Sequence, residues 1–152
     1  MADFQKLKKM LGVISQLESS GGTNTNHPVI NSGLQSGQKA IGNYGLLPNT
    51  VREVLSSMRH RGAPIPAELQ NTLPLTDKGL ASKLTEKPEL QTAVAGDLMA
   101  RVLRKTGGDE DKAAYMWNTG HNLDPNAIVP AILDENPYVN KFRKLRAQLG
   151  DF

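Results

Sequence analysis

The sequence contains no cysteine, so neither a disulfide framework nor thiolate chemistry is available to it. Aromatic residues make up only 5% of the chain, too few for the exposed stacking platforms that bind single-stranded nucleic acid. The net charge of +3 comes from scattered basic residues, which also argues against a nucleic-acid partner. No run of about 18 apolar residues is present, so we expect no membrane span.

Metal and targeting signals are also missing. The three histidines are spread through the chain without the spacing of metal ligands, and we expect no metal and no cofactor. The N-terminal segment has lysines but no long apolar core before a small-residue cleavage site, so we predict no signal peptide. A length of 152 residues fits one domain, 1–152, around a single core.

Hydrophobic periodicity and capping signals predict a mainly α domain. The first helix should end at Gly21-Gly22, and a short helical turn is expected around 67–71. A loop-rich insertion at 23–39 and at most a weak hairpin or small sheet at 40–47 complete the prediction. The other helices are predicted over residues 48–59, 77–84, 88–105, 110–119, 125–133 and 137–149, and Pro130 is a candidate kink within 125–133.

Glu18 is the most informative residue of the first helix. It stands four residues after Ile14 and seven after Leu11, on the apolar stripe that should face the interior. Withdrawal from water raises the pKa of a carboxyl group, which can then hold and donate a proton near neutral pH. The alternative is an ordinary helix-end glutamate whose carboxylate reaches the solvent.

A second candidate surface lies at the end of the helix predicted over 110–119. Tyr115 and Trp117 can present flat faces to sugar rings, and the amide of Asn118 offers both a donor and an acceptor. Such a surface suits a polymer of pyranose rings. Trp117 equally suits the core, because tryptophan is usually well buried, and both roles stay open.

Three short motifs follow one another along the chain: Glu18-Ser19-Ser20-Gly21-Gly22, Tyr44-Gly45-Leu46-Leu47-Pro48-Asn49-Thr50, and Ala114-Tyr115-Met116-Trp117-Asn118-Thr119-Gly120. Together they resemble the soluble lytic transglycosylase family of the lysozyme-like superfamily, in particular its shorter phage-type members. The resemblance extends over residues 14–122 and depends on the ordered set, because each motif alone is weak.

The resemblance implies a lysozyme-like α+β fold and an enzyme that cleaves the β-1,4 bond between N-acetylmuramic acid and N-acetylglucosamine in peptidoglycan. Glu18 matches the family's single catalytic acid/base, which protonates the glycosidic oxygen and then takes the proton of the sugar's own 6-hydroxyl. A 1,6-anhydro ring closes without water. Ser19 matches a serine that orients the acid or the N-acetyl group. The expected substrate-binding residues are Ser19, Tyr44, Gly45, Leu46, Tyr115, Trp117 and Asn118.

The second motif departs from the family pattern. The commoner form reads Gly-Leu-Met-Gln, whereas Gly45-Leu46-Leu47 is followed directly by Pro48 and lacks the glutamine. The loss removes one substrate-binding amide. Asn43, Tyr44 and Asn49 are candidates to replace it.

Two alternatives remain open. One is a virion or secretion-apparatus structural protein that keeps the fold and binds glycan without turnover, which the shortened motif favours. The other is a hydrolytic lysozyme, which would need a second carboxylate such as Asp97 facing Glu18. An i,i+4 salt bridge to Arg101 explains Asp97 equally well.

The expected partners are the glycan strands of peptidoglycan. With no signal peptide predicted, we expect a protein of the phage virion, with other virion proteins as further partners, or one released to the bacterial periplasm and cell wall by another route.

Overall fold

The computed structural model describes residues 2–22, 27, 38–70 and 75–149. Within these ranges the chain forms seven α-helices, and the mainly helical class is confirmed. Two single 3-10 turns, Ala67–Leu69 and Pro125–Ala127, lie between them. The helices are α1 (Ala2–Ser19), α2 (Pro48–Arg61), α3 (Asp77–Glu86), α4 (Pro88–Lys105), α5 (Glu110–Thr119), α6 (Pro130–Glu135) and α7 (Pro137–Gln148).

Most helix starts follow from local chemistry. Helices α2, α4, α6 and α7 begin at proline. An N–H group in the first turn has no partner within the helix, so proline, which has no N–H, is well suited to this position. The Asp109 side chain accepts a hydrogen bond from the Lys112 N–H at the start of α5, at 3.1 Å. The Asn136 side chain does the same for the Val139 N–H of α7, at 3.0 Å. Each bond satisfies an N–H that the helix leaves unpaired.

The single helix predicted over 125–133 is wrong. The chain there forms the Pro125–Ala127 turn and then starts again as α6. Val129 before Pro130 is extended, with ψ of 158°, because a proline disfavours the helical conformation in the residue before it. Pro130 therefore ends one element and begins the next.

The region after α1 contains less regular structure than a hairpin. An isolated antiparallel bridge joins Ile41 and Leu46, and none of the described residues belongs to a β-strand. The insertion predicted at 23–39 lies outside the described residues except for 27, 38 and 39, as does residue 71 of the predicted helical turn.

Helix α4 lies at the centre of the packing. It contacts α1, α2, α3 and α5, while α7 packs against α1, α5 and α6. The described apolar side chains form one buried cluster, and this cluster places the C-terminal end of α1 beside the N-terminal end of α7. None of the helices in the described ranges is long and apolar enough to cross a membrane. Fully buried members of the cluster include Ile14, Val94, Met99, Met116 and Phe142.

Candidate active site

Glu18 lies in the last turn of α1 and is half-buried. The helix ends at Ser19, and the chain then turns through Ser20, Gly21 and Gly22, which have φ values of 51°, 73° and 95°. The Tyr138 hydroxyl, from the first turn of α7, donates a hydrogen bond to Glu18 Oε1 at 2.9 Å. Two segments 120 positions apart in the sequence thus meet at this carboxyl group.

Burial raises the pKa of Glu18 above the ordinary value for glutamate, because water is partly excluded from the charged form. The hydrogen bond from Tyr138 and the nearby charge of His27 lower the pKa, but by less than burial raises it. Burial also raises the pKa of the Tyr138 hydroxyl, as does the charge of Glu18, so the hydroxyl remains a donor. A carboxyl group in this setting is suited to general acid chemistry.

A tight turn over residues 42–45 covers the carboxyl group. Ile41 and Leu46 close it with two backbone hydrogen bonds of 2.7 and 3.1 Å. Gly45 adopts φ of 65°, and a Cβ atom there would lie 2.5 Å from Glu18 Oε2. The position therefore requires glycine both for its backbone conformation and for the close approach to the acid.

Ser19 joins α1 to the turn. Its hydroxyl lies 2.7 Å from the Asn43 carbonyl oxygen and 3.0 Å from that of Ser15, and it accepts a bond of 2.9 Å from the Gly22 N–H. The side chain is only 2% exposed. Its one proton and one acceptor position serve the backbone, so Ser19 positions the turn above Glu18.

Gln91 of α4 and His27 hold the other side of the turn. The buried Gln91 amide accepts from the Asn43 N–H at 2.8 Å and donates to the Leu84 carbonyl at 2.9 Å. His27 Nε2 donates to the Gly42 carbonyl at 2.8 Å. Asn43 is a candidate for the missing amide. Its backbone N–H is bound by Gln91 of α4, and its carbonyl is bound by Ser19 of α1.

Trp117 of α5 adjoins the same turn. The indole N–H of Trp117 donates to the Tyr44 carbonyl at 3.2 Å, and the partly buried Trp117 ring packs against the core. Trp117 therefore supports the turn from the core side. Tyr44 pairs its hydroxyl with Thr92 at 3.2 Å. Asn118 is exposed at the end of α5.

Two further predicted binding residues pack against the core. Leu46 is 2% exposed, and both its backbone polar groups pair with Ile41, so it anchors the turn to the core. Tyr115 packs against the core, and none of the described hydrogen bonds links it to Glu18.

Asp97 does not face Glu18 in the described contacts. Both of its carboxylate oxygens accept from Arg61 Nη2 at 2.8 Å. The predicted i,i+4 pair with Arg101 is present but longer, with Arg101 Nε 3.7 Å from Asp97 Oδ2. Because Asp97 pairs with Arg61 and Arg101, the described geometry gives it no catalytic role.

Two residues of the site are absent from the sequence prediction: Tyr138 and Gln91. Gln91 had a signal, since it interrupts the apolar stripe of α4 between Leu90 and Val94. Tyr138 had only its place after the Asn136-Pro137 helix start. Nothing local relates either residue to Glu18.

Among the described residues, no group of three His, Cys, Asp or Glu side chains could hold a metal ion. Two cavities of about 480 and 250 Å³ lie along the C-terminal half of α4, and Glu18 lines neither of them. Comparisons with protein-family models, with curated proteins and with solved structures found no match for this chain.

Proposed function

We propose that the chain is a peptidoglycan lytic transglycosylase with a lysozyme-like α+β fold and Glu18 as its general acid/base. The observation that supports this most is the half-buried Glu18 carboxyl, with its raised pKa, between the Tyr138 hydroxyl and the backbone of Gly45. The meeting of parts of all three motifs adds to it, since Gly45 lies against Glu18 and the Trp117 indole donates to the Tyr44 carbonyl.

In this mechanism Glu18 gives its proton to the glycosidic oxygen as the bond from that oxygen to C1 of N-acetylmuramic acid breaks. The 6-hydroxyl oxygen of the same sugar then bonds to C1, and its proton passes to Glu18, so the acid is regenerated and no water is consumed. Tyr138 keeps the carboxyl oriented between the two steps, and the 42–45 turn limits the approach of water.

A single carboxylate favours this route over hydrolysis with two. The described charge interactions of Glu18 involve His27 and no second carboxylate. From Ser19 to Arg52 the sequence contains neither Asp nor Glu. Glycosidases that use water place a second carboxyl group about 5 to 9 Å from the acid.

The test is mass spectrometry of the soluble products after purified peptidoglycan is incubated with the protein and with Glu18→Gln. Products lighter by one water than hydrolytic muropeptides, absent with the variant, are the expected result. Reducing-end products would instead show a lysozyme. Glycan binding without products from either protein would show a structural protein of the virion or secretion apparatus.

A further inference from the structure

Asn43, in the 42–45 turn, has its backbone held from two sides while its side chain is not held. Its N–H donates to Gln91 Oε1 at 2.8 Å, and its carbonyl oxygen accepts from the Ser19 hydroxyl at 2.7 Å. None of the hydrogen bonds of the described residues uses the side-chain amide of Asn43. The backbone bonds therefore fix where the side chain begins and leave its donors and its acceptor unused.

The conformation of the turn does not explain an asparagine at this position. Asparagine is favoured in tight turns because it tolerates the left-handed conformation and because its side chain can bond to the nearby backbone. Among the described residues, Ser20 is the only non-glycine residue with positive φ, so Asn43 does not adopt that conformation. Gly42 and Gly45 adopt it instead, with φ of 67° and 65°. Since its amide makes no bond to the described backbone either, Asn43 has neither of these structural roles.

The Asn43 amide lies against the chain that leaves α1 and reaches the solvent. The residue is half-buried, and a Cβ atom at Gly22 would lie 3.2 Å from both Nδ2 and Oδ1 of its side chain. Neither amide atom belongs to the fully buried polar atoms that lack a partner within the described ranges. Because no described bond uses these two atoms, both remain accessible to a ligand.

Asn43 is also close to the acid. Ser19, whose hydroxyl bonds to the Asn43 carbonyl, follows Glu18 directly in α1. At the other end of the turn, a Cβ atom at Gly45 would lie 2.5 Å from Glu18 Oε2. Consecutive Cα atoms are about 3.8 Å apart, so the Cα of Asn43 lies within about 7.6 Å of the Cα of Gly45. A sugar whose glycosidic oxygen meets Glu18 can therefore contact the amide with its ring substituents.

Tyr44 and Asn49, the other two polar candidates near the turn, already have partners. The Tyr44 hydroxyl pairs with the Thr92 hydroxyl at 3.2 Å. The side-chain oxygen of Asn49 accepts from Arg52 Nη1 at 2.8 Å, within the first turns of α2. Of the three candidates, Asn43 is thus the one whose polar group is both accessible and unused.

We propose that the side-chain amide of Asn43 binds the glycan strand beside Glu18. The inference rests on the proposed function, because it takes a glycan to be the ligand at the acid. An amide offers two donors at its nitrogen and an acceptor at its oxygen, which match the hydroxyl and acetamido groups of N-acetylated sugars. Because the backbone of Asn43 is already fixed, little conformational freedom is lost when these bonds form.

The test compares Asn43→Ala with Asn49→Ala, a control that removes the same amide group from a position where its oxygen already has a partner. Binding of the soluble β-1,4-linked trimer of N-acetylglucosamine is followed by NMR titration. We expect wild type and Asn49→Ala to bind equally. Asn43→Ala should bind about three- to tenfold more weakly, the effect of losing one neutral hydrogen bond. On peptidoglycan the loss should appear mainly in KM, with kcat changed less.

Thermal unfolding and turnover complete the test. Because the amide makes no bond within the described protein, Asn43→Ala should melt at the same temperature as wild type. No binding of the trimer by wild type, equal binding by all three proteins, an equal loss in Asn49→Ala, or a lower melting temperature in Asn43→Ala would overturn the assignment.

The proposed catalysis is tested separately by Glu18→Gln, which should bind the trimer like wild type and release no products from peptidoglycan. If wild type binds the trimer through Asn43 but releases no products, the proposed catalysis fails and the inference stands. If wild type releases products and Asn43→Ala binds like wild type, the inference fails and the catalysis stands.

Discussion

At the scale of single residues, the chemistry of the site depends on how Glu18 keeps its proton. Burial raises its pKa, whereas the Tyr138 hydroxyl and the His27 charge lower it. Because the two effects come from different groups, they can be altered separately. The Tyr138 hydroxyl donates directly to Glu18 Oε1, so a substitution of Tyr138 is the simpler way to change one effect alone.

Tyr138→Phe should move the basic limb of the pH profile of kcat/KM to higher pH. In the wild type, the hydrogen bond from Tyr138 favours the ionised carboxylate. Losing this bond therefore raises the pKa of Glu18 and keeps the acid protonated over a wider pH range. The measurement is kcat/KM against pH. Tyr115→Phe, on α5, is the control and should leave the limb in place, and a shift to lower pH in Tyr138→Phe would contradict the hydrogen bond's role.

Glu18→Gln should raise the melting temperature at neutral pH although it abolishes activity. A raised pKa means that folded wild type binds the Glu18 proton more tightly than the unfolded chain. The stability that the proton contributes is complete below the unfolded pKa of about 4.3 and is lost as pH rises through the folded pKa. The uncharged amide of the variant does not titrate and avoids that loss.

Thermal unfolding at about pH 3.5 and pH 7.5 checks this difference. The two proteins should melt together at the lower pH, where Glu18 is protonated in both states, and the variant should melt higher at the upper pH. Equal melting temperatures at both would mean that burial does not penalise the charge.

At the scale of elements, the 42–45 turn connects three helices to the acid. Ser19 ties it to α1, Gln91 ties it to α4, and Trp117 ties it to α5. No single one of these bonds is strong. Together they determine where the Gly45 backbone lies over Glu18.

Gly45→Ala should lower the activity by more than its loss of stability explains. Gly62→Ala is a matched control, because Gly62 has φ of 71° and open space around a Cβ, whereas Gly45 has φ of 65° and Glu18 Oε2 at 2.5 Å. Both should lose about 1 to 2 kcal/mol from the left-handed conformation. Denaturant unfolding and product formation measure the two effects. Activity retained in Gly45→Ala would show that the turn does not approach the acid so closely.

At the scale of the whole molecule, α7 completes the site by packing against α1, α5 and α6. Phe142 is fully buried, and Arg143 and Arg146 pair with acidic residues of α5 at 3.0 to 3.2 Å. These ion pairs are partly buried, and the fully buried Phe142 ring adds an apolar anchor between α7 and the core. Tyr138 reaches Glu18 only while α7 is docked.

Phe142→Ala should therefore lower the free energy of unfolding by about 3 to 5 kcal/mol, the cost of removing a buried aromatic ring. Leu149→Ala, at a residue 61% exposed just after α7, should change it by less than about 0.5 kcal/mol. Urea unfolding of the three proteins makes the comparison. A loss under about 1 kcal/mol in Phe142→Ala would mean that α7 is not held by the core.

Local chemistry determined most of the fold. The helix starts at Pro48, Pro88 and Pro137 and the cap at Asp109 were predictable because they depend on neighbours within one turn. Prediction failed at Pro130, where helical periodicity and proline oppose each other and proline prevailed. The organisation as one domain over 1–152 stays a prediction.

Residue spacing alone places Glu18 on the inner stripe of a helix, because that spacing fixes the helix face. The motifs also indicated glycine at 45 and an aromatic at 117 for the site. Which groups meet there depends on helix packing: the Tyr138 hydroxyl, the Gln91 amide and the Trp117 indole come from helices far apart in the chain. That packing likewise buried Ser19 and Leu46. Such contacts depend on how helices pack across the core, and no local pattern in the sequence encodes that packing.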